Sequence, residues 1–310
     1  MSARHCGAPS NASRPASPHC WTPSPRSVSS TRSKTRKRGA AMKTVGLIGA
    51  GRMGMPIVGH LARAGFRVLV SERDPARQAN IESRGAANAA LDALAAESDA
   101  ILICVGYGHE VQELVCGKGG LLEAARPGTV IAVLSTINPR TMRELAGQGQ
   151  AKGIHIVDST VCRGSWAADT GTLLSFVGGD EAVVERLRPV LAAYSSDIVR
   201  SGGVGTAQVS KAANNLILWA CLIADHEALA LAKRYDVDIE ALRRALLTSS
   251  ATNGALADWG KQTMAWADDD MAIVAEMAAE CGIALPQSGM VRELCRGLKP
   301  RRYDLEQYGK

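Results

Sequence analysis

The stretch Val45-Gly46-Leu47-Ile48-Gly49-Ala50-Gly51-Arg52-Met53-Gly54 decides the fold. Lys43 to Ala50, with Val45, Leu47 and Ile48 as its apolar members, predicts a short buried strand running into a glycine triplet. Ile57, Leu61 and Ala64 then recur at helical spacing until Gly65, and Phe66 to Val70 predicts a second strand. Strand, glycine turn, helix and strand are the context in which such a triplet binds a dinucleotide. Gly49 permits the tight turn, Gly51 lets the backbone approach a pyrophosphate, and Gly54 allows close helix–strand packing. Arg52 and Met53 complete the candidate phosphate loop, whose helix N-terminus offers free amides. Glu72 ends the second strand, 23 positions after Gly49. A carboxylate there accepts ribose hydrogen bonds and favours NAD; Arg73 beside it would pair with a 2′-phosphate and favour NADP. The coenzyme is therefore NAD or NADP, with the choice open.

The alternation continues outward. Ala100–Val105, Thr129–Leu134, Ile154–Val157 and Leu173–Val177 are predicted strands, separated by helical or loop sequence. This pattern predicts an α/β fold with a Rossmann-type, doubly wound parallel sheet covered on both faces. Ligands gather at the carboxyl ends of such strands, which makes Val105, Ser135 and Thr136 candidate coenzyme contacts. From about Gly205 the pattern turns wholly helical. A long apolar helix is predicted from Thr206 to near Arg234, with shorter ones at 239–247, 254–264, 271–281 and 287–296. The expected organisation is a leader at 1–41, a dinucleotide-binding domain at 42–203, and an all-α domain at 204–310 built on the long inter-domain helix.

Composition narrows the function classes. The 310 residues are 46% hydrophobic and 21% charged, enough for a packed core. No stretch approaches the roughly 20 uninterrupted apolar residues of a membrane span, so no membrane partner is expected. The net charge of +6 is uneven: residues 1–41 hold eight Lys or Arg and no acid, and removing those eight from 36 leaves 28 basic against 30 acidic residues. The chain from Met42 onward is thus no basic nucleic-acid binder. The leader's Ser, Pro, Arg and Thr bias predicts disorder. Met42, directly before a strand, reads as a natural first residue; organellar targeting and nucleic-acid contact are the alternatives for the leader. Eight scattered cysteines without a Cys-x-x-Cys pair predict reduced thiols in a cytoplasmic compartment and no zinc site.

One pair on the long helix carries chemistry. Lys211 and Asn215 are four residues apart and so share a helical face. The lysine can move a proton to or from a hydroxyl, and the asparagine amide can hold a substrate oxygen. By spacing alone, an exposed lysine near a helix start is the stronger claimant.

Three motifs then favour the catalytic reading. Gly46 to Pro56, Asp158-Ser159-Thr160-Val161-Cys162-Arg163-Gly164 with Gly171-Thr172-Leu173, and Lys211-x-x-Asn-Asn215 together resemble the β-hydroxyacid dehydrogenases, the 3-hydroxyisobutyrate dehydrogenase family. The resemblance spans Met42 to about Leu298. It implies NAD(P)-linked oxidation of a β-hydroxyacid or reduction of the matching semialdehyde. Lys211 becomes the general acid/base and Asn215 a substrate ligand; Cys162, Arg163 and Gly164 fall in the substrate segment, and Ser135 near the nicotinamide. The family's usual Asp-Ala-Pro-Val-Ser-Gly-Gly is broken here by Thr160, Cys162 and Arg163. A thiol donates weakly, and Arg163 either compensates by gripping an acid group or points outward. A family lysine is replaced by Asp269, which loosens cofactor contacts.

Other features are set aside. Asp225-His226-Glu227 cannot converge on one ion, since helical neighbours diverge by about 100°. Asp268 to Asp270 reads as a helix start, His109 likewise, and Cys162 has no nearby histidine to make it a nucleophile. Two other readings compete: an imine reductase-like enzyme, whose relatives lack Lys211, and a dinucleotide-bound assembly protein with a basic tail. Leu216, Ile217, Trp219, Leu222 and Ile223 cover more than one face of the long helix and predict a homodimer or homotetramer.

Overall fold

The computed structural model describes residues 42–309; the expectations for the leader lie outside them. The chain builds one eight-stranded sheet, β1 (Thr44–Ile48), β2 (Arg67–Ser71), β3 (Ala87–Asn88), β4 (Ala100–Ile103), β5 (Val130–Val133), β6 (His155–Cys162), β7 (Leu173–Gly178) and β8 (Ser195–Gly202), in the order β3-β2-β1-β4-β5-β6-β7-β8. Alternate residues of the central strands enter opposite layers, as the two-residue period of a strand dictates. Val45, Leu47, Ala100, Leu102, Val130 and Ala132 join one core; Ile48, Ile101, Ile103, Ile131 and Val133 join the other. Helix α1 (Gly54–Arg63) covers the first face through Ile57, Val58 and Leu61. On the second face lie α3 (Leu91–Glu97), α4 (Gly108–Cys116), α5 (Leu121–Ala124) and α6 (Pro139–Ala151), which contribute Leu94, Val111, Val115, Leu121, Met142 and Leu145; α2 (Pro75–Ser83) sends Ile81 to the first core.

Six strands stand where the sequence predicts them. The parallel expectation needs one correction: β6 and β7 are antiparallel. Between them lies only α7 (Gly164–Thr170), flanked by Arg163 and Gly171 in the left-handed region at φ 82° and 71°. So short a connection returns the chain as a hairpin, whereas a parallel crossover needs a dozen residues or more. Strand β6 also runs four residues past its pairing with β5, which ends at Asp158, and this overhang pairs with β7 instead. Two strands were not expected. β3 has two residues, and β8 is a largely exposed edge reading Ser-Ser-Asp-Ile-Val-Arg-Ser-Gly, without apolar alternation.

Helix α8 (Glu181–Leu191) precedes β8, and every later element is helical: α9 (Thr206–Lys233), α10 (Ile239–Leu246), α11 (Gly254–Ala257), α12 (Ala267–Cys281) and α13 (Pro286–Leu298). The helix predicted for 254–264 stops at Ala257, because Gly260 and Met264 take positive φ of 88° and 56°. By length and mean hydropathy α9 would suffice to cross a bilayer. In the fold its buried residues instead pack against α11, α12 and α13 and against β6 and β7. Ala212, Trp219, Leu222 and Ile223 meet Met271, Val274, Val291 and Cys295 there.

The Asp225-His226-Glu227 run ties α9 to the C-terminal segment, each residue in its own direction. Asp225 accepts from Asn253 at 2.9 Å, the buried His226 Nε2 accepts from the Tyr303 amide at 2.9 Å, and the Tyr308 hydroxyl donates to Glu227 at 3.2 Å.

Candidate active site

The glycine turn sits between the ends of β1 and β4, where the strand order reverses and open α/β sheets bind ligands. Its glycines serve different ends. Gly49 has φ 91°, and a Cβ there would collide with the Cys104 carbonyl; a Cβ on Gly54 would collide with the Gly49 carbonyl. These two are required by the protein's own packing. A Cβ on Gly51 would meet only the Arg77 guanidinium, at 3.7 Å. The space above Gly51 is therefore open, beside a cation and the first amides of α1, as a pyrophosphate needs. Met53 caps α1 half-buried against the core. Arg52 makes a bidentate ion pair with Asp169 at 2.7 and 2.5 Å.

Glu72 sits beneath the turn, nearly buried. One carboxylate oxygen accepts the Ala50 amide at 2.8 Å and the other the Asp74 amide at 2.9 Å. It thus braces the loop, and only the second lone pair of each oxygen is left for a ribose hydroxyl. Arg73 reaches to Glu110 at 2.6 Å. Burial works against that carboxylate, but Arg73 and the Tyr107 and Gly106 amides outweigh it and hold the Glu110 carboxyl below its usual range. A cleft of about 380 Å³ opens at the ends of β2 and β3, lined by Val70, Ser71, Glu72, Gln78, Asn88 and Ala89. Turn and cleft together fit the phosphates and nucleoside of a dinucleotide. Ser135 joins the ends of β4 and β5, its hydroxyl accepting from the Val105 amide at 3.0 Å and donating to the Val105 carbonyl at 2.9 Å. Thr136 follows it, half-buried.

The overhang of β6 builds the second part of the site. Asp158, fully buried, accepts the amides of Gly205 (2.8 Å), Ala207 (2.8 Å) and Gln208 (3.1 Å). It caps a 28-residue helix from another strand, where a carboxylate suits the positive dipole end. Burial pushes its carboxyl up, and the amides offset only part of that. Thr160 donates to the Ala207 carbonyl at 3.0 Å. Gln208 accepts from the Ile137 amide and donates to the Ser135 carbonyl, both at 2.9 Å. The first turn of α9 is thus clamped to β6 and to the loop after β5, which sets where Lys211 stands one turn later.

Lys211 Nζ lies 3.9 Å from Cys162 Sγ. Burial pushes the Cys162 thiol up and Lys211 offsets only part of it, so this is a thiol and not an activated nucleophile. Asn215 is 2% exposed; its oxygen accepts from Asn214 at 3.1 Å, while its buried Nδ2 has no partner. A buried donor without an acceptor is rare in a folded chain and calls for a ligand or water. One turn on, Trp219 Nε1 donates to Asp270 Oδ2 at 3.1 Å.

Arg163 points outward in the structure, one of the two expectations for it. Its Nη1 donates to the Thr172 carbonyl, Ser196 Oγ and Asp197 Oδ2 at 3.0, 2.8 and 2.7 Å, so it is committed to the β7–β8 edge. Gly164, with φ 70°, opens α7 behind it. Three contributors escaped the sequence reading. Gln208 and the capping role of Asp158 carry no local signal, since their partners lie 47 to 73 residues away. Asp270 was hidden in an acidic triplet.

Comparison with known proteins agrees with this architecture. The family model described as the NAD binding domain of 6-phosphogluconate dehydrogenase matches residues 44–203. A second, described as NAD-binding of NADP-dependent 3-hydroxyisobutyrate dehydrogenase, matches residues 205–306. A 3-hydroxyisobutyrate dehydrogenase of Pseudomonas aeruginosa is 33% identical over 69% of this chain and 72% of its own length. A 2-hydroxy-3-oxopropionate reductase of Escherichia coli is 31% identical over 81% of this chain and 89% of its own. The solved structure of a Mycobacterium tuberculosis 3-hydroxyisobutyrate dehydrogenase with L-serine matches with a TM-score of 0.75 at 26% identity, covering 84% of this chain and 94% of that one. With the glycine cradle, the mostly parallel sheet and the helical half in the same order, the chain belongs to the β-hydroxyacid dehydrogenase family of NAD(P)-dependent oxidoreductases.

Proposed function

We propose that the enzyme interconverts a small β-hydroxyacid and its semialdehyde, with Lys211 as the general acid/base and Asn215 as the ligand of the reacting oxygen. When bound, the nicotinamide ring accepts the hydride from the alcohol carbon, or returns it in reduction. As the carbonyl forms, the hydroxyl proton passes to a neutral Lys211 Nζ; in reduction the ammonium gives it back. The carrying observation is the pairing, one turn apart on α9, of Lys211 with the partnerless buried donor of Asn215. Held one turn from the lysine, that donor suits the oxygen on which negative charge grows. We assign coenzyme binding to 42–203 and substrate and subunit contacts to 204–310.

With Arg163 engaged by Asp197 and a thiol at 162, the substrate acid group is gripped less firmly than a hydroxyl and two glycines would allow, and substrate choice is shifted accordingly. The Glu72 carboxylate beneath the turn favours NAD. A stripe of exposed small and apolar residues along α9, Val209, Ala213, Ile217, Ala224, Ala228 and Leu231, supports a homo-oligomer; a monomer by light scattering would contradict it. Free cysteines at 104, 116, 162, 221, 281 and 295 support a reducing, cytoplasmic setting.

The test is reduction of NAD and NADP by the full chain with 3-hydroxyisobutyrate, L-serine and related β-hydroxyacids. Lys211→Ala is expected to cost on the order of 10²-fold or more in kcat. Turnover undiminished in that variant would overturn the assignment.

A further inference from the structure

The strand order puts β1 between β2 and β4, so the loops after β2 and β4 flank the glycine turn from opposite sides. One ion pair spans them. Arg73 leaves the end of β2 and reaches Glu110, on the first turn of α4, at 2.6 Å. The carboxylate is the fixed partner: its Oε2 accepts the Gly106 and Tyr107 amides, both at 3.1 Å, and its Oε1 takes the guanidinium. Glu110 is largely covered, whereas the Arg73 side chain is 87% exposed. The next arginine along the chain is also engaged, since Arg77 lies 3.2 Å from Asp74 and 3.8 Å from Glu72. Three carboxylates thus face two guanidiniums around the end of β2. A 2′-phosphate arriving there meets an excess of negative charge, and Arg73 is held on the far side of the crevice.

We propose that Glu110 is a specificity-determining residue for the coenzyme: by holding Arg73 across the crevice it keeps the guanidinium from a 2′-phosphate, so that the enzyme binds NAD in preference to NADP. A guanidinium recognises phosphate and carboxylate through the same fork of donors, and Glu110 therefore competes with the phosphate as an internal substitute. Specificity is a difference between two affinities. NAD carries a hydroxyl at the 2′ position and loses nothing to this competition, because the free lone pairs of Glu72 can receive that hydroxyl. NADP must either break the ion pair or sit beside Glu72, Asp74 and Glu110 without a cation of its own. With one partner in solvent the pair is weak, so the bias expected from the competition is about fivefold. Residue 110 thus decides whether Arg73 serves as a phosphate ligand, which the identity of Arg73 alone does not.

This inference rests on the glycine turn and the end of β2 as the seat of the coenzyme, and not on Lys211, so it is tested by binding without turnover. The full chain is titrated with NADH and with NADPH, each followed by coenzyme fluorescence. Glu110→Gln keeps an oxygen for the two amides and removes the charge that holds Arg73. In that variant the affinity for NADPH relative to NADH is expected to rise about fivefold, with NADH itself unchanged within about twofold. In an Arg73→Ala background the same substitution is expected to give no gain, since the two residues act through one contact. Should Glu110→Gln fail to fold, Glu110→Asp takes its place: it keeps a carboxylate for the amides but is one methylene short of Arg73, and a smaller gain in the same direction is expected. An unchanged ratio, a loss of affinity for both coenzymes, or a gain that survives without Arg73 would overturn the proposal; the last would mean that Glu110 acts by repulsion alone. Gly51→Ala, by contrast, is expected to weaken both coenzymes alike and leave their ratio as it is. Failure of the cradle reading therefore shows in the level of binding, and failure of the Glu110 reading in the ratio.

Discussion

The glycine cradle and the α9 face are the two halves of the proposed site, and they are built in opposite ways. The cradle is local: Gly49, Gly51, Gly54 and Glu72 lie within 24 residues, and its contacts are mostly backbone. The α9 face is assembled from three distant segments, β6 with Asp158 to Cys162, the first turns of α9, and the start of α12. Local construction survives in a sequence as a motif. Remote construction leaves single residues whose meaning depends on partners that spacing does not reveal.

The largest expected effect tests the remote half. Asp158→Ala removes the acceptor of three buried amides at the head of α9. Stranding them costs about 3 kcal/mol or more, equivalent to a fall of roughly 6–12 °C in Tm for a chain of this size. The loss is expected to carry Lys211-dependent turnover with it, because the clamp sets the lysine's position. A melt unchanged from wild type would show that Thr160 and Gln208 hold the helix without the cap.

Gly51→Ala tests the local half with a smaller effect of a different kind. Its Cβ meets only the movable end of Arg77, so the fold should be unaffected, within about 0.5 kcal/mol. Coenzyme affinity, followed by fluorescence titration, is expected to fall about tenfold, or 1.4 kcal/mol. Equal affinity in the variant would mean that no phosphate comes over Gly51, and the cradle would have to be redrawn. The contrast sharpens the comparison: in the cradle binding and stability separate, whereas at the head of α9 they do not.

The same contrast explains what was legible. Strands β1, β2, β4 and β5 declare themselves because both faces are buried, giving continuous apolar runs between turn residues. β8 does not, because an exposed edge strand has no apolar period to show. The direction of β7 is set by the length of its connection, not by its own residues. Lys211 and Asn215 were singled out by their four-residue spacing and the motif around them. Asp270 was read as a helix-dipole residue, a correct description of the triplet that concealed which member faces inward. Glu72 was found at the right place, yet its two oxygens brace the turn, a role that spacing to the glycines does not distinguish from ribose binding.

Arg163 offers the finest test, since it stands where the two constructions meet. It ends β6 in the left-handed region at φ 82°, which costs a residue with a Cβ about 1–2 kcal/mol. Against that strain stands its ion pair with Asp197, both partners half-exposed and so contributing no more than about 1 kcal/mol. Arg163→Ala keeps the strain and loses the pair. Arg163→Gly loses both, and the more flexible unfolded chain takes back up to about 1 kcal/mol. The glycine variant is therefore expected to melt above the alanine variant by the equivalent of about 1 kcal/mol and to lie near wild type, an ordering that no loss of contacts alone produces. With the guanidinium committed to the β7–β8 edge, both variants should also keep the substrate KM within about twofold. A KM raised in both, by tenfold or more, would place Arg163 on the substrate after all and would make Asp197 its resting partner, released when the acid group arrives.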